Sequence, residues 1–114
     1  MRKIEEKMID AIQFGKNWTL SNTHVELEQN PNVENTIKVY LHGNLIACFF
    51  PKRKTVKVCD GGWQSNTTKS HLNALLGYFT KDYGIFQKNW VWYLKGNAET
   101  VEFKNDVELP TKVY

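Results

Sequence analysis

At 114 residues, 41% of them apolar and 24% charged, the chain is the size of one domain and has the side chains for one core. No apolar run approaches the roughly 18–20 residues that cross a membrane, and the charged, mixed-sign start MRKIEEKMIDAI lacks the pattern of a secretory leader. A cytoplasmic protein with no membrane partner is therefore expected. The net charge of +3 is uneven, because residues 31–95 carry +6 and the two ends together −3. That imbalance favours an anionic partner surface, although two arginines are few for sequence-specific DNA recognition.

Residues 2–14 read as an amphipathic helix, with Ile4, Met8, Ala11 and Ile12 on one side and Gly15 as its stop. NWTLSN reads as a loop that folds Trp18 and Leu20 back onto the core. THVELE alternates as a half-buried strand, and NPNVEN breaks it. TIKVYL, the HGN turn and LIACFF form a hairpin, and PKRK returns the chain into TVKVCD. A central helix starts near Thr67 or Thr68, with Leu72, Leu75, Leu76 and Phe79 as its buried stripe. Beyond it, GIFQ and WVWYL flank a turn at Lys88-Asn89, ETVEF follows, and the tail VELPTKVY adds a short edge strand. The expected fold is a single α+β domain over residues 1–114: helix, four strands, helix, then two or three strands, paired antiparallel through tight turns.

Strict alternation puts Leu45, Ala47, Phe49, Val56 and Val58 on one sheet face, and Ile46, Cys48, Phe50, Thr55, Lys57 and Cys59 on the other. The first set is expected to meet the helices. Two cysteines without a CxxC, and three histidines without ligand spacing, predict no metal site and reduced thiols. No cofactor motif is present.

The stretch GGWQSNTTKSHLNALL supports two readings. Gly61 and Gly62 turn the chain sharply, Trp63 caps the core edge, and Asn66 or Thr67 caps the helix. Alternatively, free N–H groups, the hydroxyls of Thr67 and Thr68, and Lys69 form an anion seat at the positive helix end. Asn66, Lys69, Ser70 and Asn73 make the exposed stripe. A Cys59–His71 catalytic pair is conceivable, but the inventory for a nucleophile, base and orienter is thin, so the chain is expected not to be an enzyme.

LHGNLIACFF followed by VKVCDGGWQSNTTKSHLNALL resembles a family of small uncharacterised bacteriophage proteins. The pattern is an H-G-N hairpin (His42, Gly43, Asn44), then G-W-x-[ST]-x-T-T-K-x-[RH]-[IL]-N from Gly62 to Asn73, then Gln87, Lys88 and Trp90. His71 stands where arginine is expected, which weakens an anion-binding role there. The resemblance spans roughly residues 37–95 and brings no activity with it. It implies a phage accessory protein that binds and blocks a host nucleic-acid-handling or defence protein, of the anti-CRISPR or anti-restriction type. The alternative is a non-sequence-specific nucleic-acid-binding protein that uses the basic middle, with tryptophans as stacking faces. The candidate binding residues for either are Lys52, Arg53, Lys54, Lys57, Trp63, Thr67, Thr68, Lys69 and Asn73. The partner is a host protein or nucleic acid, and the protein is a monomer or homodimer in the host cell cytoplasm. Trp90, Trp92 and Leu94 are expected to share one buried strand face.

Overall fold

A computed structural model describes residues 1–29, 34–96 and 98–112. The expected break at NPNVEN and the end of the tail lie partly outside the described residues. The first element, α1 (Lys3–Gln13), buries Met8, Ala11 and Ile12. Ile4 is only partly covered, and the fourth buried residue of α1 is Glu5.

A short strand follows, β1 (Trp18–Leu20), and then β2 (Thr23–Glu28), β3 (Thr36–Leu41), β4 (Asn44–Phe50) and β5 (Thr55–Val58). These pair antiparallel in chain order, and β9 (Val107–Pro110) closes the sheet by pairing with β5. The edge strand expected in the tail is therefore present. Between β5 and β9 the chain makes α2 (Asn66–Phe79) and a separate three-stranded antiparallel sheet of β6 (Gly84–Lys88), β7 (Val91–Lys95) and β8 (Thr100–Glu102). The α+β class and the helix–strands–helix–strands order hold. The division into two sheets was not expected.

The loop expected at NWTLSN is instead β1. Three residues are too few for alternation to register, and the strand exists through its partners: Trp18, Thr19 and Leu20 pair with Val25, His24 and Thr23. The Thr19 hydroxyl lies 2.6 Å from His24 Nδ1, and the Leu27 amide donates to Asn17 Oδ1. Trp18 packs against the core, whereas Leu20 is exposed.

The HGN hairpin forms as read. His42 and Gly43, with φ of 51° and 78°, make the two-residue turn whose twist matches the strands it joins. Beyond it the alternation of β4 breaks. Val39 pairs with Ala47 while Tyr40 pairs with Leu45, so Ile46 is an extra residue on its strand. The bulge reverses the expected faces at two positions. Ile46 is buried in the core and Leu45 points to solvent. Past the bulge the reading recovers, and Ala47, Phe49, Val56 and Val58 face the helices.

The α2 stripe is buried as expected, all four residues being almost fully covered. They meet Met8 and Ile12 of α1 and Val25, Val39, Val56 and Val58 of the large sheet. Each such side chain contributes roughly 1.5–3 kcal/mol of transfer free energy. The small sheet leans on α2 through β6. Asn73 Nδ2 donates to the Ile85 carbonyl at 2.9 Å, and the Ile85 amide donates to Asn73 Oδ1 at 2.7 Å. One side chain thereby satisfies both backbone groups of an otherwise open edge.

The hairpin turn after β6 sits one residue later than expected. Its central residues are Asn89 and Trp90, both left-handed at φ 51° and 67°. Trp90 therefore leaves the strand and is 90% exposed, while Trp92 and Leu94 are buried as expected.

Candidate functional site

At the end of β5 the chain must leave the sheet and start α2 within a few residues. The Cys59 amide still donates to the Ile46 carbonyl, and Gly61 and Gly62 then turn at φ of 69° and 88°. A Cβ on Gly61 would stand 3.2 Å from both Asn44 Cβ and Ile46 Cγ2, so this position demands glycine for space and for backbone shape. Asp60 fixes the turn by accepting the Gly62 amide on Oδ1 at 2.7 Å and the Gln64 amide group on Oδ2. Ser65, rather than Asn66 or Thr67, is the N-cap, because its hydroxyl accepts from the Thr68 amide at 3.0 Å.

The corner leaves an open cleft of about 420 Å³ at the N-terminal end of α2. His42, Asn44, Asp60, Trp63, Thr67 and Thr68 are among its walls. Trp63 does not cap the core. It is 74% exposed and stands at the rim.

The hydroxyls expected to seat an anion bond to neighbouring side chains. Thr67 Oγ1 accepts from Arg2 Nη1 at 3.0 Å, and Thr68 Oγ1 bonds to Ser65 Oγ at 2.9 Å. Lys69 Nζ reaches only Gln87 Oε1, at 3.5 Å. Of the expected exposed stripe, Asn66 and Asn73 are exposed, Asn73 while clamping β6, and Lys69 and Ser70 are partly covered.

The basic turn lies elsewhere. Pro51 and Lys54 border a second cleft with Tyr78 and Phe79, at the opposite end of α2. Ten residues of helix separate Lys69 from Phe79, or roughly 15 Å of axial rise. The cations close in sequence therefore form two groups. Within the turn, Arg53 bonds Glu34 at 2.8 Å, lies 3.6 Å from Glu108, and stacks over the Phe50 ring at 4.3 Å. Lys57 Nζ lies 5.7 Å from the same ring. Lys52 and Lys54 are exposed.

The Cys59–His71 pair is not assembled. Cys59 Sγ donates to the Leu45 carbonyl at 2.9 Å, and burial raises the pKa of both thiols, so they stay protonated at neutral pH. Cys48 faces Lys57 across the β4–β5 pair, and both cysteines are free. No metal-ligating group of three exists among the described residues.

His71 instead forms the middle of a buried polar chain. Its Nδ1 lies 2.9 Å from Glu5 Oε2, and its Nε2 lies 2.9 Å from Thr23 Oγ1. Glu5 also accepts from the Arg2 amide at 3.2 Å, and Thr23 reaches Asn22. The chain ties α1, α2 and β2 together. Its bonding order, hydroxyl to imidazole to carboxylate, matches a nucleophilic triad. However, Thr23 has no exposed surface for a substrate to reach, so the arrangement is a tie.

Burial is the largest influence on His71 and lowers its pKa against the opposing pull of Glu5. Burial is also the largest influence on Glu5, in the upward direction, but hydrogen bonds from Ser70 and Arg2 with the field of His71 outweigh it and leave the pKa lowered. The consistent state is an anionic Glu5 accepting from a neutral imidazole. Both lowered pKa values act in one direction. The unfolded chain takes up protons at His71 below about 6.5 and at Glu5 below about 4.5, before the folded protein does. The unfolding free energy is therefore expected to be fully present above pH 6.5, to start falling below it, and to fall further through the carboxylate range. Urea midpoints measured from pH 8 to pH 4 check this, and a flat profile down to pH 5 would contradict the His71 part.

Sequence reasoning missed two exposed aromatic features. Trp90 was read as buried because alternation was carried through the turn. Phe86 and Tyr93 stack on the outer face of the small sheet, with centroids 5.5 Å apart. The β6–β7 hairpin runs back along α2, with Ile85 at Asn73 and Gln87 at Lys69. Its tip therefore projects beyond the helix start, at the end of the molecule where Trp63 stands.

A comparison with known protein families decides the origin. The chain matches the Kyanoviridae Gp96 protein family over residues 1–110. It belongs to that family. This is a bacteriophage family, as the resemblance implied, and the match covers nearly the whole domain, including both helices and both sheets. No curated protein and no solved structure is similar to the chain. Among the described residues no helix is long and apolar enough to cross a membrane.

Proposed function

We propose that this Gp96-family protein is a phage accessory factor that acts by binding, inhibiting a host nucleic-acid-handling or defence protein by occlusion. One observation carries the reading: Trp63 and Trp90 are both exposed at the N-terminal end of α2. Water-facing tryptophans do nothing for a core, but they are the residues that most often carry the energy of a protein interface. The glycine corner and the Asn73 clamp hold them on rigid backbone, which lowers the entropic cost of docking.

The alternative, nucleic-acid binding through the basic middle, draws less support. Arg53 is already paired with Glu34 and Glu108, and the basic turn sits at the other end of α2 from Lys69. The test is a pull-down from host lysate with the tagged chain, with and without nuclease. A host protein retained after nuclease, and lost with Trp63→Ala plus Trp90→Ala, supports occlusion. Capture that disappears with nuclease favours the alternative.

A further inference from the structure

We propose that the outer face of β6 and β7 is a stacking platform for an unpaired nucleic-acid strand, a surface separate from the tryptophan end. The inner face of this hairpin carries Ile85, Trp92 and Leu94 into the core. Its outer face carries Phe86 and Tyr93 as a directly paired row, stacked with 22° between the ring planes. Phe86 is 38% exposed and Tyr93 partly so. Packing a ring pair toward solvent gains less than burying it, so its stability value alone is small.

The residues around the pair supply the complementary charge. On the same face, Lys88 lies one row toward the hairpin tip and Lys95 one row in the other direction, and both are exposed. Two rows of antiparallel strand place these ammonium groups' backbone positions about 14 Å apart, with the rings midway. That alternation of cation, aromatic pair and cation fits phosphate, bases and phosphate of an extended strand. Lysine suits it as a point charge for phosphate, and an aromatic face accepts any base. Glu102, opposite Tyr93 on β8, is the acidic boundary and directs the strand along β6 and β7. A duplex offers no free base faces to these rings, so the occupant is single-stranded.

Fluorescence anisotropy with labelled oligothymidylate, oligouridylate and a DNA duplex of equal length tests this on the full chain. Single strands are expected to bind more tightly than duplex, with affinity falling as salt rises. The two homopolymers distinguish DNA from RNA as the natural strand. Phe86→Leu with Tyr93→Leu keeps apolar cover but removes stacking, and is expected to weaken binding roughly tenfold to a hundredfold. Lys88→Gln with Lys95→Gln is expected to weaken it and flatten the salt dependence, whereas Lys7→Gln with Lys16→Gln, two exposed lysines in and just after α1, leaves affinity unchanged. No binding, a duplex bound as tightly as single strands, or equal loss in the Lys7/Lys16 variant overturns the proposal. If the leucine variant does not fold, the Lys88/Lys95 variant decides, and undiminished binding there overturns it. None of these results touches the host-protein reading, which is measured at Trp63 and Trp90.

Discussion

Glu5→Ala is expected to cost about 2–4 kcal/mol of folding free energy, from an imidazole N–H left unsatisfied in the core and the cavity under α1. Glu5 and His71 are both 1% exposed, and they lie 2.9 Å apart, Glu5 also accepting from Ser70 and the Arg2 amide. Removing the carboxylate leaves the Nδ1 side of the imidazole without an acceptor in a site closed to water, and leaves a void beneath α1. His71→Ala is expected to cost a similar amount, because it removes one hydrogen bond from a buried carboxylate and leaves a cavity in the core. Truncating both at once, as Glu5→Met with His71→Leu, is expected to recover most of the loss. An apolar pair of similar volume needs no partner, and the Thr23 hydroxyl, released from His71, turns its proton to Asn22 Oδ1, 2.9 Å away. Urea unfolding of the two single alanine variants, their double, and the Met/Leu pair measures this. Losses that simply add, with no recovery in the apolar pair, would show that the two side chains matter only as bulk.

Trp90→Gly is expected to leave the protein at least as stable while removing partner capture. A bulky side chain at φ 67° sits in a region that costs an L-residue about 1–2 kcal/mol. The second central position of such a turn is where glycine is preferred. Glycine relieves the strain but gives back roughly 0.5–1 kcal/mol in chain entropy. The net result is a melting temperature unchanged or raised by a few degrees. Trp63→Ala is likewise expected to leave the melt close to unchanged, since its ring is mostly in water. Interface tryptophans commonly contribute 2 kcal/mol or more, so capture of a host protein should fall at least about thirtyfold with either variant. A stability loss of more than about 1 kcal/mol in Trp90→Gly would make the ring structural. Capture that survives both substitutions would remove the proposed docking end.

The residues that failed to follow their local pattern share a cause. Ile46 and Leu45 exchanged faces because β4 carries one residue more than β3, and an extra residue shifts the phase of a period-two pattern. Trp90 left its strand because the turn shifted by one position, with the same effect. At the start of α2 the sequence pattern misplaced the cap, which is Ser65, and gave no sign that Arg2, sixty-five positions away, bonds Thr67. The basic cluster divided because adjacency along the chain becomes opposite ends of a helix in space. Nothing in the periodicity of α1 marks Glu5 as a buried residue, and only its meeting with His71 explains its burial.

The sequence by itself determined the α+β class, the order of the long elements, both turn-forming corners and the leucine stripe of α2. These rest on period, turn chemistry and capping, which act between residues a few positions apart. The tertiary structure alone decided that the strands form two sheets, that Glu5, His71 and Thr23 meet, and which aromatic rings face water. Each of these depends on registers and contacts between distant segments, where a shift of one residue reverses inside and outside, and no local signal records such a shift.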